Sequence, residues 1–220
     1  MTQEIWDAVD GYFSARLAPP DPVLDDALRA CDAAGLPPIA VAPNQGKFLY
    51  LLARIARARS VLEIGTLGGY STMWLARALP AGGKIVTLEV DPAHAEVARR
   101  NFANAGLSEV VDLRVGRALD TLPQLQGEAP FDLVFVDADK PSNPEYFRWA
   151  LELTRPGSVI VIDNVVRGGA VADERSEDPS VRGTQHMTEL IAAEPRVDAT
   201  ALQTVGVKGY DGLAIALVTG

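Results

Sequence analysis

The sequence contains little cysteine, histidine or positive charge. Its one cysteine, Cys31, excludes an internal disulfide, and its two histidines lack the cysteine partners of a structural zinc site. Twenty Lys and Arg stand against 29 Asp and Glu, which gives a formal net charge of −9. Because an acidic chain repels nucleic-acid backbones and anionic membranes on average, we expect small-molecule chemistry rather than nucleic-acid binding.

Long apolar runs are also missing. No segment reaches the length needed to span a bilayer, and the first residues, MTQEIWDAVDGYF, have neither the basic start nor the apolar stretch of a signal peptide. We therefore expect a cytoplasmic protein without membrane association. A chain of 220 residues, 48% hydrophobic and 22% charged, is typical of one folded domain, which we place over residues 1–220.

Three helices are predicted before the first strand, over residues 3–16, 23–34 and 44–57. The first helix carries apolar side chains on one face: Ile5, Trp6, Val9, Tyr12 and Phe13. This face needs a partner, so we expect residues 1–38 to form an extension that serves as a lid, a dimer contact or both. The chain is accordingly expected to form a homodimer, and residues 39–220 its catalytic core.

From residue 60 onward, strands alternate with helices. We predict strands over residues 61–64, 85–90, 111–115, 133–137 and 159–163, with helices at 70–79, 92–105, 118–125 and 144–154. A polar segment over 167–182 is expected to be a mobile loop, followed by a helix over 185–193 and a hairpin of strands 199–205 and 212–218. This order predicts a Rossmann-like α/β fold: a doubly wound, mostly parallel seven-stranded sheet with an antiparallel C-terminal hairpin and helices on both faces.

The stretch SVLEIGTLGGYS, residues 60–71, contains a buried strand, a glycine-rich turn and the start of a helix. Glycine allows positive φ and close approach of a ligand to the backbone, and a helix N-terminus after a strand is a typical nucleotide site. The turn has Gly65, Gly68 and Gly69, so it lacks the second glycine of the G-x-G-x-x-G dinucleotide fingerprint. A nucleotide other than a dinucleotide is therefore favoured.

Two acidic residues narrow the choice of nucleotide. Glu63 lies beside the turn, where it would oppose a pyrophosphate but suit a cationic amino group, and Glu89 ends the second strand, where acidic side chains accept hydrogen bonds from ribose hydroxyls. S-adenosylmethionine (SAM) has an ammonium group, a sulfonium and a ribose but no phosphate. The sequence thus favours SAM over NAD, unless the two glutamates are merely solvent-facing strand ends.

Oxygen ligands follow two further strands. Asp137 ends the fourth strand, and Asp163 and Asn164 end the fifth. Neighbouring strand ends converge on one crevice, and hard oxygen donors without His or Cys suit Mg²⁺, Mn²⁺ or Ca²⁺. We predict a metal site there, with turn formation and helix capping as the structural alternative. Lys140 lies three residues after Asp137, where a nearby divalent cation would favour its neutral amine as a base.

From about Ile39, the motifs QGKFLYLLARI, VLEIGTLGGYS, TLEVDP, VFVDADK, VIVIDNV and DGLAIALV resemble those of the cation-dependent class I O-methyltransferases in the same order. This family includes catechol and caffeoyl-CoA O-methyltransferases, and the resemblance is greatest to its small bacterial members. It implies the class I methyltransferase fold, SAM as the methyl donor and a catechol-like acceptor with two vicinal hydroxyls.

The resemblance also implies roles for individual residues. Contacts to SAM are implied for Glu63, Gly65, Ser71, Glu89 and Ala118, with the backbone near Val41 closing over the methionine end; Thr66, Tyr70 and Asp137 are further candidates. Asp137, Asp163 and Asn164 would hold the metal. Lys140 would be the general base, and Asp137 would be a second catalytic residue.

The chain departs from the family pattern at two places near the expected acceptor. Pro141, Ser142, Asn143 and Pro144 intervene before Tyr146, and Val166-Arg167 stands where plant members commonly have a leucine-tryptophan pair. The second change removes an aromatic wall and adds a positive charge. Two other functions remain open from the sequence alone: a tRNA-modifying O-methyltransferase of the same family and a nucleotide-dependent oxidoreductase.

Overall fold

The computed structural model describes residues 2–220 and contains one seven-stranded sheet. Its strands are β1 (Ser60–Ile64), β2 (Lys84–Glu89), β3 (Val111–Val115), β4 (Leu133–Val136), β5 (Val159–Asp163), β6 (Val197–Gly206) and β7 (Gly209–Val218). They lie in the order β3-β2-β1-β4-β5-β7-β6. The first five pair in parallel, while β7 is antiparallel to both β5 and β6. The predicted α/β sheet with a C-terminal hairpin is confirmed.

Eight α-helices surround this sheet: α1 (Gln3–Leu17), α2 (Pro22–Ala33), α3 (Pro43–Ile55), α4 (Tyr70–Ala78), α5 (Pro92–Asn104), α6 (Ala118–Thr121), α7 (Asn143–Glu152) and α8 (Pro179–Ala193). Short 3₁₀ segments follow α6 at Leu122–Gly127 and precede α7 at Lys140–Ser142. No helix within residues 2–220 is both long and apolar enough to cross a bilayer.

The apolar strands are buried on both faces because successive side chains of a strand point to opposite sides. Val61 and Phe135 belong to the core beneath α3, α4 and α5, whereas Leu62 and Val134 belong to the core beneath α7 and α8. The sheet is therefore covered by helices on both faces. The carboxyl ends of β1, β2, β4 and β5 lie at one edge of the sheet, where ligands bind in such folds.

The predicted loop over residues 167–182 is wrong in two places. Residues Arg167–Ala172 form a 3₁₀ segment, and α8 begins at Pro179, six residues before the predicted helix start at 185. Asp178 caps α8, since its carboxylate accepts hydrogen bonds from the backbone N–H groups of Ser180 (2.7 Å) and Val181 (3.4 Å). An aspartate followed by proline at the first helical position is a helix-start signal that outweighs the polar composition of this segment.

The two N-terminal helices have different surroundings. Helix α1 packs against α3 and β6, and Asp10 accepts a hydrogen bond from the backbone N–H of Val207 (2.8 Å). Its other face leaves Ile5, Val9, Tyr12 and Phe13 about half exposed. Helix α2 packs against α4 and α5. This packing places Cys31 at a cavity that lies at the carboxyl ends of the parallel strands. The lid and dimer roles predicted for this extension remain predictions.

Candidate active site

A cavity of about 740 Å³ opens at the carboxyl ends of the parallel strands. Eight of the predicted cofactor residues line it: Val41, Gly65, Thr66, Tyr70, Ser71, Glu89, Ala118 and Asp137. The predicted base Lys140 and metal ligand Asn164 line the same cavity, together with Arg167. Two predicted residues, Glu63 and Asp163, lie outside this lining.

The glycine turn between β1 and α4 forms one wall. Gly65 has φ +99°, and a Cβ there would lie 2.1 Å from the backbone oxygen of Asp137. Gly69 has φ +85° and precedes α4, whose first turn has no side-chain cap. Glycine is required at both positions because the backbone is left-handed and the neighbouring atoms leave no room. The uncapped N–H groups of α4 therefore face a site suited to an anionic group.

Glu89 holds the turn in place. Its carboxylate accepts hydrogen bonds from the backbone N–H groups of Thr66 (3.2 Å), Leu67 (2.7 Å) and Asp91 (2.9 Å). His94 Nδ1 lies 3.7 Å from Glu89 Oε1 and also lines the cavity. Glu89 is thus a cavity residue whose carboxylate is fixed by the backbone, and a ribose hydroxyl would add to these contacts.

Glu63 lies behind the turn and is completely buried. Its carboxyl group accepts hydrogen bonds from Ser71 Oγ (2.7 Å) and Thr87 Oγ1 (2.6 Å), and from the hydroxyl of Thr72. Burial raises the pKa of Glu63 to about 7 against the opposing effect of these hydroxyls, and the charge of Asp137 adds to the rise. In this structure Glu63 positions Ser71, which does line the cavity, and direct contact with SAM stays a prediction.

The predicted metal ligands follow two adjacent strands, Asp137 at the end of β4 and Asp163 and Asn164 at the end of β5. Asp163 is buried, and burial followed by the charge of Asp137 raises its pKa well above the ordinary aspartate range. Gln45 Nε2 donates to Asp163 Oδ2 at 2.6 Å, and Lys140 Nζ donates to Asp137 Oδ1 at 3.0 Å. Both carboxylates therefore already have a hydrogen-bond donor from the protein.

This donor set fits a divalent cation by its chemistry. Two carboxylates that repel each other and an adjacent amide are hard oxygen donors, and a cation between them would relieve the repulsion that raises the pKa of Asp163. Within the described part of the chain, however, no group of three or more His, Cys, Asp or Glu side chains is arranged to hold a metal. The third protein ligand would have to be the amide of Asn164.

Lys140 is held from two sides. Its side chain is only 8% exposed and forms the ion pair with Asp137. Its backbone lies against α8, where a Cβ on Gly183 would come within 2.2 Å of the Lys140 carbonyl oxygen. Nearby, Asp139 accepts a hydrogen bond from Tyr146 Oη at 2.5 Å. Despite burial, hydrogen bonds from Ser142 and Tyr146 keep the pKa of Asp139 below its usual value.

A family model described as O-methyltransferase matches residues 15–217. The chain belongs to the O-methyltransferase family. The sequence-based assignment to this family is therefore confirmed, although the metal site and the individual residue roles rest on geometry and stay predictions.

Individual members of the family align with nearly the whole chain. A catechol O-methyltransferase from Niastella koreensis is 52% identical over 220 residues, which cover 99% of this chain and 100% of that protein. The crystal structure of an O-methyltransferase from Bacillus cereus in complex with SAH has a TM-score of 0.97 and 56% identity, covering 99% and 100% of the two chains. TomG from Streptomyces achromogenes, an O-methyltransferase involved in tomaymycin synthesis and solved in complex with SAM, has a TM-score of 0.97 and 54% identity, covering 100% of both.

Three site residues were not found from the sequence. Gln45 comes from α3 and reaches Asp163 across 118 positions of sequence, and Asp211 comes from β7. Gln45 begins the motif QGKFLYLLARI and Asp211 begins the motif DGLAIALV, but neither motif indicates which group the side chain contacts. For Gly183 a local signal exists, because a glycine inside a helix indicates close packing. The signal was missed because Gly183 lies between the predicted loop, which ends at residue 182, and the predicted helix, which begins at residue 185.

Proposed function

We propose that this protein is a SAM-dependent, divalent-metal-dependent O-methyltransferase that transfers a methyl group to one hydroxyl of a catechol-like acceptor. The observation that carries the proposal is the presence of a glycine turn with an uncapped helix N-terminus and a Lys140–Asp137 pair in one cavity. The first feature suits the methyl donor and the second suits proton removal from an acceptor. Family members with SAM or SAH bound, and one named a catechol O-methyltransferase, support it.

The cavity offers a partner for each polar part of SAM. The uncapped N-terminus of α4 suits the methionine carboxylate. Glu89 suits the ribose hydroxyls, and Asp137 suits the cationic end of the donor. These residues bind and orient the donor, and holding two reactants in attack geometry can contribute roughly 7 to 11 kcal/mol to the rate.

Asp137, Asp163 and Asn164 would hold the metal. When bound there, Mg²⁺ or a similar ion supplies Lewis-acid activation of a chelating hydroxyl pair and a template for its orientation. Because Lys140 forms an ion pair with Asp137, a metal ion held by Asp137 would compete with Lys140 for that carboxylate.

Lys140 acts as the general base. In its neutral amine form, Lys140 Nζ accepts the proton of the acceptor hydroxyl and becomes an ammonium, and the hydroxyl oxygen forms a bond to the methyl carbon as the carbon–sulfur bond breaks and SAH leaves. The near-complete burial of this side chain keeps bulk water from competing for the proton.

The proposal is tested by incubating the purified protein with SAM and a panel of catechols, hydroxycinnamoyl thioesters and flavonoids. Methyl ethers should form with Mg²⁺, and EDTA should abolish their formation until excess Mg²⁺ is added. Equal turnover with and without metal would remove the metal from the proposal. NADH binding without SAM binding would favour an oxidoreductase, and salt-sensitive binding of tRNA with methyl incorporation would favour the tRNA-modifying alternative.

The proposal that the protein forms a homodimer is supported by the exposed apolar side chains of α1. Light scattering at micromolar concentration checks it, and a monomeric mass would contradict it. Residence in the cytoplasm is likewise still a prediction, which fractionation of the source cells would check.

A further inference from the structure

Arg167 is fixed at the wall of the cavity by an unusual anchor. Oδ1 of Asp211 accepts hydrogen bonds from the backbone N–H groups of Val166 (2.9 Å), Arg167 (3.0 Å) and Gly212 (2.9 Å). Arg167 itself has φ +56°, a left-handed conformation that a residue with a Cβ keeps only where its surroundings impose it. The fold therefore holds Arg167 three residues after the metal-ligand candidate Asn164, in a conformation that costs free energy.

The guanidinium of Arg167 lacks a partner for its charge. Its Nε is buried without a hydrogen-bond partner, and no carboxylate of residues 2–220 forms an ion pair with it. The acidic residues that share the cavity have other donors: Asp137 has Lys140, Asp139 has Tyr146 and Glu89 has the turn backbone. A partly buried cation without a counterion is unfavourable, so the geometry suits an anion supplied by a ligand.

We propose that Arg167 is a specificity-determining residue that binds a carboxylate on the acceptor, so that the substrate class is a catechol carrying a carboxylate. This inference rests on the proposed function. A guanidinium forms paired hydrogen bonds with a carboxylate, which recognises both its charge and its planar shape.

The methyl donor also carries a carboxylate, but the structure offers that group a different position. The uncapped N-terminus of α4 lies beside Ser71 at the glycine turn, whereas Arg167 follows β5 next to the metal-ligand candidate Asn164. The donor and acceptor carboxylates are distinguished by the experiment below.

The test compares 3,4-dihydroxybenzoate with its neutral analogue 3,4-dihydroxybenzamide, with SAM and Mg²⁺ present. The wild type is expected to favour the benzoate by about 10- to 100-fold in kcat/KM, the range typical of a charged hydrogen-bonded pair, and Arg167→Gln should bring that ratio close to 1. Arg167→Lys should retain part of the preference. The matched control Arg175→Gln changes an exposed arginine in the following segment and should keep the wild-type ratio.

Binding measurements provide a readout that is independent of turnover. Calorimetric titration of 3,4-dihydroxybenzoate into SAH-saturated protein should show weaker binding to Arg167→Gln, while the Kd for SAH should stay within about twofold of the wild type. A 10-fold weaker SAH affinity with an unchanged benzoate preference would assign Arg167 to the donor carboxylate and overturn the inference.

The outcomes separate the two proposals. Methylation of both compounds at equal efficiency by the wild type would overturn the acceptor carboxylate while the proposed function stands. Failure of the wild type to methylate either compound or 4-methylcatechol would overturn the proposed function and this inference with it. Should Arg167→Gln unfold, as judged by thermal melting, Arg167→Lys and the wild-type selectivity ratio decide the question.

Discussion

The Glu63→Gln substitution should remove the loss of stability that Glu63 causes as the pH rises. Glu63 is completely buried and its carboxyl group accepts three hydroxyl hydrogen bonds. Burial raises its pKa from 4.5 to about 7, so in this range the folded protein keeps a proton that the unfolded chain releases. The stability that this proton provides is complete below pH 4.5 and is lost as the pH rises through about 7.

The magnitude follows from the two pKa values. For a group that shifts from 4.5 to about 7, linkage predicts a loss of about 2 kcal/mol in the free energy of unfolding between roughly pH 5.5 and 8.5. Glutamine has nearly the same shape and does not titrate, so it avoids this loss. Its amide must turn one or two hydroxyls around, which costs about 1 kcal/mol at every pH. Glu63→Gln should therefore be destabilising by about 1 kcal/mol below pH 4.5, close to neutral near pH 5.5 and stabilising at the high end of this range.

The assay is urea unfolding of both proteins at several pH values, with the difference in unfolding free energy plotted against pH. Taking the difference removes the titration of every other group, including Asp163, because those groups are common to both proteins. Glu109→Gln, at an exposed position, is the matched control and should give a curve parallel to the wild type. If the curve for Glu63→Gln is also parallel to the wild type, Glu63 is ionised in the folded protein throughout and the burial argument is refuted.

Three further substitutions test the candidate site. Lys140→Ala should lower kcat by about 100-fold or more, the effect typical of losing a general base, with the Kd for SAH unchanged in calorimetry. Gly183→Ala places a Cβ 2.2 Å from the Lys140 carbonyl and should lower kcat through displacement of that residue, whereas Gly11→Ala, with no atom within 4 Å, should not; equal kcat in the two alanine variants would contradict this. Gly65→Ala, at φ +99° and 2.1 Å from the Asp137 backbone oxygen, should weaken SAH binding by about 10-fold or more, and unchanged binding would show that the turn can move.

The sheet was predictable because each parallel strand is buried on both faces and therefore appears as a short apolar run. All seven predicted strands are present, with ends that differ by at most three residues. The start of α8 was missed because Asp178-Pro179 lies in a polar segment, and composition was given more weight than the capping signal. Local chemistry was the better guide at that point.

The site was predictable to the extent that it lies at strand ends. Glu89, Asp137 and Asn164 line one cavity because parallel strands end at one edge of the sheet. The contacts of Gln45 and Asp211 were not predictable, since each depends on how a distant element packs against the sheet. Arg167 was visible in the sequence as an added charge, but the hydrogen bond from its backbone N–H to Asp211 and its buried, unpaired Nε were not.

The difference between residues placed by strand ends and contacts made by distant elements also applies to the acidic residues at this edge of the sheet. Adjacent strands β1, β4 and β5 place Glu63, Asp137 and Asp163 close enough for the charge of Asp137 to raise the pKa of both neighbours. Parallel pairing makes that crowding unavoidable, yet each carboxyl group has a different environment. Glu63 has only hydroxyl donors and complete burial, Asp137 has the ammonium of Lys140, and Asp163 has the amide of Gln45. Strand position therefore determines which acids lie near one another, whereas α3, α4 and the segment after β4 supply the different hydrogen-bond partners of these acids.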